Sequence, residues 1–220
     1  MQQLRPLVQT VCQGRAVLLN FSVANAPFQP LVEGLLAASG VTAKITACRP
    51  NGARIPGLEI TRWRNQEIEL VALLGDHDGE VTVHLPDSRH VYDLKKHLTL
   101  GQVEQFTTQV LPHRASFFAL LPHSVAAPRM NSPNTNITLG DTVKLTLSIP
   151  AAEGNHALQL SATTPHGDSL HGFQQNLIVN RQTQTVHLPI AHNDPPGTWT
   201  VTIADLYSPE RVTTAFIVDE

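Results

Sequence analysis

Residues 57–94, GLEITRWRNQEIELVALLGDHDGEVTVHLPDSRHVYDL, constrain the fold of this chain more than any other stretch. Leu58 and Ile60 alternate with Glu59 and Thr61; Ile68, Leu70 and Ala72 alternate with Glu67, Glu69 and Val71; Val81, Val83 and Leu85 alternate with Thr82 and His84. Side chains that change face at every residue mark half-buried β-strands. Asn65 with Gln66, and the segment GDHDG at 75–79, supply the turns. The expectation is a meander of four short strands joined by tight polar turns, with Glu67 and Glu69 on the solvent side. Nothing in such a scaffold is arranged as a catalytic centre.

Upstream, residues 15–23 read as a fully buried strand. Asn25 has the character of a helix N-cap, and Pro27 falls within the first turn, where its missing N–H costs little. Phe28, Leu31, Val32, Leu35 and Leu36 follow at helical spacing, and Gly40 supplies the stop. This strand–helix piece is too small to enclose its own apolar stripe, so it has to dock on something else. From 41 to 121 the pattern gives about seven strands at the spacing of a β-sandwich or barrel. Residues 43–49 lead in, and 103–111 and 114–121 close the unit, connected by Pro112 and His113. Residues 122–135, PHSVAAPRMNSPNT, hold three prolines and read as a linker or as the lead-in to an edge strand.

The remainder repeats the all-β theme. Val143, Leu145, Leu147 and Ile149 form one inward row, Leu158, Leu160 and Ala162 a second. Trp199, Val201 and Ile203 form a third, with Thr198, Thr200 and Thr202 facing out. Segments 172–180, 183–190 and 212–218 complete about seven strands, an immunoglobulin-like count without the Cys…Trp…Cys signature of antibody domains. The fold class that follows is mainly β: two β-sandwich domains in tandem, the second Ig-like, with one N-terminal strand–helix segment. The expected divisions are 1–40, 41–122, a linker at 123–135, and 136–220.

Charge and length narrow the function classes. A net charge of -3 over 220 residues provides no basic footprint, so neither nucleic acid nor an anionic membrane is an expected partner. No apolar run approaches the ~20 residues that span a bilayer. Residues 16–24, AVLLNFSVA, precede an A-x-A pattern at 24–26 and resemble a signal peptide, but Asn20 interrupts the apolar core. The strand reading is preferred, and the chain is expected to be soluble without a signal peptide; its compartment stays open. Cys12 and Cys48 form no CxxC motif; free thiols are the preferred reading, with a pairing between them left open.

Candidate chemistry is sparse. Among eighteen carboxylates, Glu67 with Glu69 and Asp76 with Asp78 are the closest pairs, but acid/base work needs a cleft that raises one pKa, and these fall on strand faces and turns. Eleven histidines show no HxH, HxxxH or HExxH spacing and read as surface or turn residues. The run Asp76, His77, Asp78, Gly79 lacks the further acids of a calcium loop. No GxSxG, Walker A or GxGxxG segment occurs, so no catalytic residue, cofactor or metal is assigned. Trp199 has the parity of core residues. Trp63 does not: it shares a face with Glu59 and Thr61 and lies between Arg62 and Arg64. Three readings stand for it: a bulge turns it inward, it packs under a neighbouring element such as residues 1–40, or it meets a ligand together with Arg62 and Arg64. Tyr92 and Tyr207 carry no readable signal.

The runs GRAVLLNFSV (14–23), LLAASGV (35–41), GLEITRWRN (57–65), IELVALL (68–74), RHVYDL (89–94) and RASFFALLP (114–122) together resemble the C-terminal part of family 42-like glycoside hydrolases, the β-galactosidase-like proteins. In that family a (β/α)8 barrel carries two catalytic glutamates and is followed by a flavodoxin-like trimerisation domain and a small β-sandwich. The resemblance implies that 1–40 correspond to the end of the trimerisation domain and 41–122 to the sandwich. Residues 125–220 resemble an Ig-like module of the kind appended to large bacterial proteins. A barrel alone takes about 250 residues, and no residue here matches the family's glutamates. The expectation is therefore a non-enzymatic accessory region, a fragment or separately encoded remnant. Its expected partners are an upstream catalytic domain or companion chain, with carbohydrate and homo-oligomers as further candidates.

Overall fold

The computed structural model describes residues 7–11, 14–18, 28–132, 136–150, 155–180 and 183–220, with backbone alone up to residue 29. The chain divides into two compact units, 1–44 and 45–220. In the first, β1 (Leu7–Val11) and β2 (Gly14–Leu18) form an antiparallel hairpin, Leu7 opposite Leu18. The sequence reading has no counterpart to β1, and 19–23 and the Asn25 cap lie outside the described residues. Helix α1 (Phe28–Ala38) ends as its Gly predicts. Gly40 takes a φ of 74°, the Val41 N–H reaches the Leu36 carbonyl at 2.8 Å and the Gly40 N–H the Ala37 carbonyl at 3.0 Å, which closes the last turn.

The second unit opens with one six-stranded sheet. Its strands are β3 (Thr46–Cys48), β4 (Glu59–Asn65), β5 (Ile68–Leu74), β6 (Gly79–Asp93), β7 (Leu98–Val110) and β8 (Ser116–Leu121). The order is β3-β6-β8-β5-β4, with β7 also on β6. Two expectations are corrected here. β8 lies between β5 and β6, so 57–94 is not a simple meander. Nor is the last part of 57–94 made of separate short strands: β6 runs fifteen residues through Pro86, with a register shift between His84 and Arg89. Proline has no N–H for a ladder but is accommodated at a bulge. β7 likewise starts at Leu98 rather than 103, because the second half of β6 needs a partner; the turn between them is held by Asp93, which accepts from the Lys95 and Lys96 N–H groups at 3.1 and 3.0 Å.

The bulge lets one sheet make two layers. The first half of β6 pairs with β3 and the end of β7, the second half with β8 and the start of β7. A strand that changes layer at a bulge forms the corner of a sandwich. Between the layers lie Val71, Leu73, Val81, Val83, Val91, Phe106, Val110, Phe118 and Leu120. Phe106 of β7 and Phe118 of β8 meet with ring centroids 4.7 Å apart.

The rest forms a second sandwich from eight strands: β9 (Arg129–Asn131), β10 (Asn136–Thr138), β11 (Thr142–Ser148), β12 (His156–Thr163), β13 (Gln175–Val179), β14 (Gln184–Pro189), β15 (Gly197–Asp205) and β16 (Arg211–Asp219). One sheet runs β10-β16-β15-β12-β13, the other β14-β11-β9. β9 comes from the proline-rich stretch and sits at a sheet edge, the second of the two readings given for that stretch. The alternating rows are buried as read: Val143, Leu145, Leu147, Leu158, Leu160, Val201 and Ile203 are inaccessible, and so is Trp199. Trp199 stacks near Phe216, meets the edge of Phe173 and donates from Nε1 to the Pro195 carbonyl at 2.9 Å.

Candidate functional site

β5 and β8 are buried on both faces, and this second face is where the side chains of interest collect. The sequence reading placed Ile68, Leu70 and Ala72 toward the sandwich core and Glu69 and Val71 toward solvent. The structure reverses it: Val71 and Leu73 enter the core, while Ile68 and Leu70 join Tyr92, Ala119 and Leu121 in a separate apolar cluster on the outside of the sheet. Runs such as IELVALL and SFFALL, apolar at nearly every position, are what two-sided burial requires.

What covers this outer face is the second sandwich and the segment leading to it. Val125 and Tyr207 pack into the cluster. The Val125 N–H donates to the Tyr92 hydroxyl at 2.9 Å, and the Asn65 amide donates to the Asn155 carbonyl at 2.9 Å and also bonds the Tyr207 hydroxyl. Behind Tyr207, whose ring lies 5.5 Å from that of His156, His156 Nδ1 and Asp205 Oδ2 form a buried pair at 2.8 Å. Asp205 Oδ1 accepts from the Tyr207 N–H at 2.8 Å. Burial pushes both tyrosine hydroxyls above their ordinary value, and the nearby Asp205 carboxylate adds to the rise. The surface-or-turn reading of the histidines therefore fails for His156, and both tyrosines, which carry no readable signal in the sequence, lie at this contact. A signal for His156 and Asp205 was present: they continue the inward rows of Leu158 and of Ile203.

Trp63 belongs to the same outer face. β4 pairs with β5 without a register shift, so no bulge turns it inward, and the residue stands 49% exposed. One row across the sheet reads Trp63, Leu70, Ala119, Tyr92, running from solvent to the covered cluster. Leu74 at 41% and Phe117 at 38% extend the open part of the face. Arg62 and Arg64 do not join Trp63, because adjacent residues of a strand point to opposite sides. Arg62 is held instead by an ion pair with Glu69, which removes Glu69 from the solvent face assigned to it.

The remaining candidates stay apart. Asp76 pairs with exposed His113 at 3.1 Å. Asp78 lines an open cavity of about 380 Å³ with Arg49, Asn51, His77 and Glu80. Cys48 is a free thiol with Sγ 3.5 Å from His84 Nε2; Cys12 lies outside the described residues. Among the described residues no three His, Cys, Asp or Glu side chains are grouped to hold a metal ion, and no helix is long and apolar enough to cross a membrane.

No family model matches the chain, and no curated protein does. Among solved structures it is similar to Salmonella alpha-2-macroglobulin reacted with methylamine, with 13% identity and a TM-score of 0.36 over 74% of this chain and 12% of that one. It is similar to the glycoside hydrolase domain of Endo-D from Streptococcus pneumoniae R6, with 7% identity and a TM-score of 0.30 over 79% of this chain and 37% of that one. It is also similar to an Arthrobacter globiformis T6 isomalto-dextranase complexed with panose, with 13% identity and a TM-score of 0.27 over 90% of this chain and 40% of that one. The chain thus spans less than half of each, and likenesses of this size carry no argument about activity.

Proposed function

We propose that the chain is a non-catalytic accessory region of a larger glycoside-hydrolase-like, β-galactosidase-like protein, supporting the packing of its domains. The observation that supports this reading is the use of the outer face of the first sheet. Ile68, Tyr92, Ala119 and Leu121 are sealed by Val125 and Tyr207, so the two sandwiches are joined by an apolar contact with hydrogen bonds around it. Trp63, Leu74 and Phe117 carry the same face on into solvent, a surface suited to a further domain. In this reading the second sandwich is an Ig-like module, its β14-β11-β9 sheet packed on β10-β16-β15-β12-β13. The sequence resemblance over 14–122 is what supports a β-galactosidase-like parent. Reading the DNA upstream of the Met1 codon tests the proposal: a stop codon with no neighbouring barrel-encoding frame counts against it.

The exposure of Trp63 favours one second reading, a carbohydrate-binding module in which the indole stacks on a sugar ring. Glycan-array binding that disappears in Trp63→Ala supports it. Absence of binding to any glycan ends it.

A further inference from the structure

The five-stranded sheet of the second sandwich ends at β13, and among the described residues nothing pairs with the outer edge of Gln175–Val179. A free edge presents unpaired N–H and C=O groups, which folded proteins guard by shortness, charge, proline or a bulge. The other terminal strands of this unit's sheets are guarded, and the outer side of β16 that β10 does not reach begins with Arg211. β3, β9 and β10 are three residues long. β4 carries Glu59, Arg62 and Arg64, β7 has Glu104 at its centre, and β14 has His187 and ends in Pro189. β13 has none of these devices. Residues 172–180, GFQQNLIVN, contain no Asp, Glu, Lys, Arg or Pro; the ladder with β12 runs without a register shift; and Ile178 stands 70% exposed.

We propose that β13 is a self-association edge, pairing antiparallel with β13 of a second copy so that two five-stranded sheets become one continuous sheet. The argument for a second copy is self-complementarity, which a twofold axis demands of an edge. An axis through Ile178 sets Ile178 opposite Ile178, Leu177 opposite Val179 and Asn176 opposite Asn180. Apolar side chains then meet apolar ones, amides meet amides, and no charge faces its like. The same operation at the centre of β7 sets Glu104 against Glu104, and at the centre of β4 sets Arg62 against Arg62, arrangements that cross-strand repulsion disfavours.

Sedimentation velocity of the full chain over a concentration series tests the proposal, with Ile178→Lys as the variant. Because residue 178 is exposed, the fold is expected to survive, and thermal unfolding by circular dichroism checks this. The expected result is a monomer–dimer equilibrium whose midpoint concentration rises at least about tenfold in the variant, as two ammonium groups are set opposite each other. Should the lysine variant fail to fold, Ile178→Cys in a Cys12→Ser, Cys48→Ser background replaces it. Mild oxidation then yields a disulfide-linked dimer that a Thr213→Cys control, placed on β16 of the same sheet and three strands in from β13, does not form. A chain that stays monomeric throughout, a dimer indifferent to Ile178→Lys, or equal cross-linking at 178 and 213 overturns the proposal.

Discussion

Tyr92 and Tyr207 are the only tyrosines of the chain, and both lie at the seam between the sandwiches. Their hydroxyls sit above the ordinary value of 10.0 because of burial first and the Asp205 carboxylate second. The folded state therefore keeps these protons at a pH where the unfolded chain has released them. The stability they contribute is full below pH 10.0 and is lost as pH rises through the folded values. The tyrosinate absorbance band is expected to titrate at higher pH in the native protein than in urea, with unfolding following it; coincident native and urea curves would contradict the burial. Asp205→Ala leaves His156 without its buried partner and the Tyr207 N–H without its acceptor. The expected loss in denaturant unfolding is about 1–3 kcal/mol for each buried donor left without an acceptor. At this scale the sequence was half legible. Trp199 declared its burial by parity, and His156 and Asp205 did so in the same way, but a polar residue on an inward row is easily read as the end of the row. Trp63 is anomalous only if its face is the solvent face, whereas that face is in part the covered one.

The alternation of Val143, Leu145 and Leu147, or of Trp199, Val201 and Ile203, identifies strands with one buried face, and these rows were read correctly. The faces of β5 were not, because a strand apolar on both sides has no period from which to choose the core. The insertion of β8 between β5 and β6 was equally hidden, since period fixes faces and not neighbours. The continuity of β6 through Pro86 was hidden too, because the register shift that accommodates a residue without an N–H leaves no trace in the alternation. The turn at 75–79 was legible, but the constraint on Gly75 was not. A Cβ there would lie 2.8 Å from the Gly57 carbonyl oxygen, where two backbones pass each other. Gly75→Ala is expected to cost about 1–3 kcal/mol, as overpacking does, measured by urea unfolding at fixed pH.

On the scale of the whole molecule, the two sandwich cores described within 45–220 share one seam. Separating them strips Val125 and Tyr207 from Ile68, Tyr92, Ala119 and Leu121. A fragment of residues 45–124 is expected to melt below the corresponding transition of the intact chain and to bind a hydrophobic dye that residues 1–220 do not. Equal melting temperatures would show that the seam adds nothing. The tandem β architecture was readable in the sequence, since composition and strand spacing act locally. The seam was not, because it joins Tyr92 to Tyr207 across more than a hundred residues and leaves no periodic trace. One further consequence follows from the placement of the indoles. The chain has two tryptophans, one in each sandwich, with Trp63 49% exposed and Trp199 fully enclosed. They form a pair of optical reporters already separated in colour and in access to a water-soluble quencher, so a single fluorescence trace can tell which sandwich opens first.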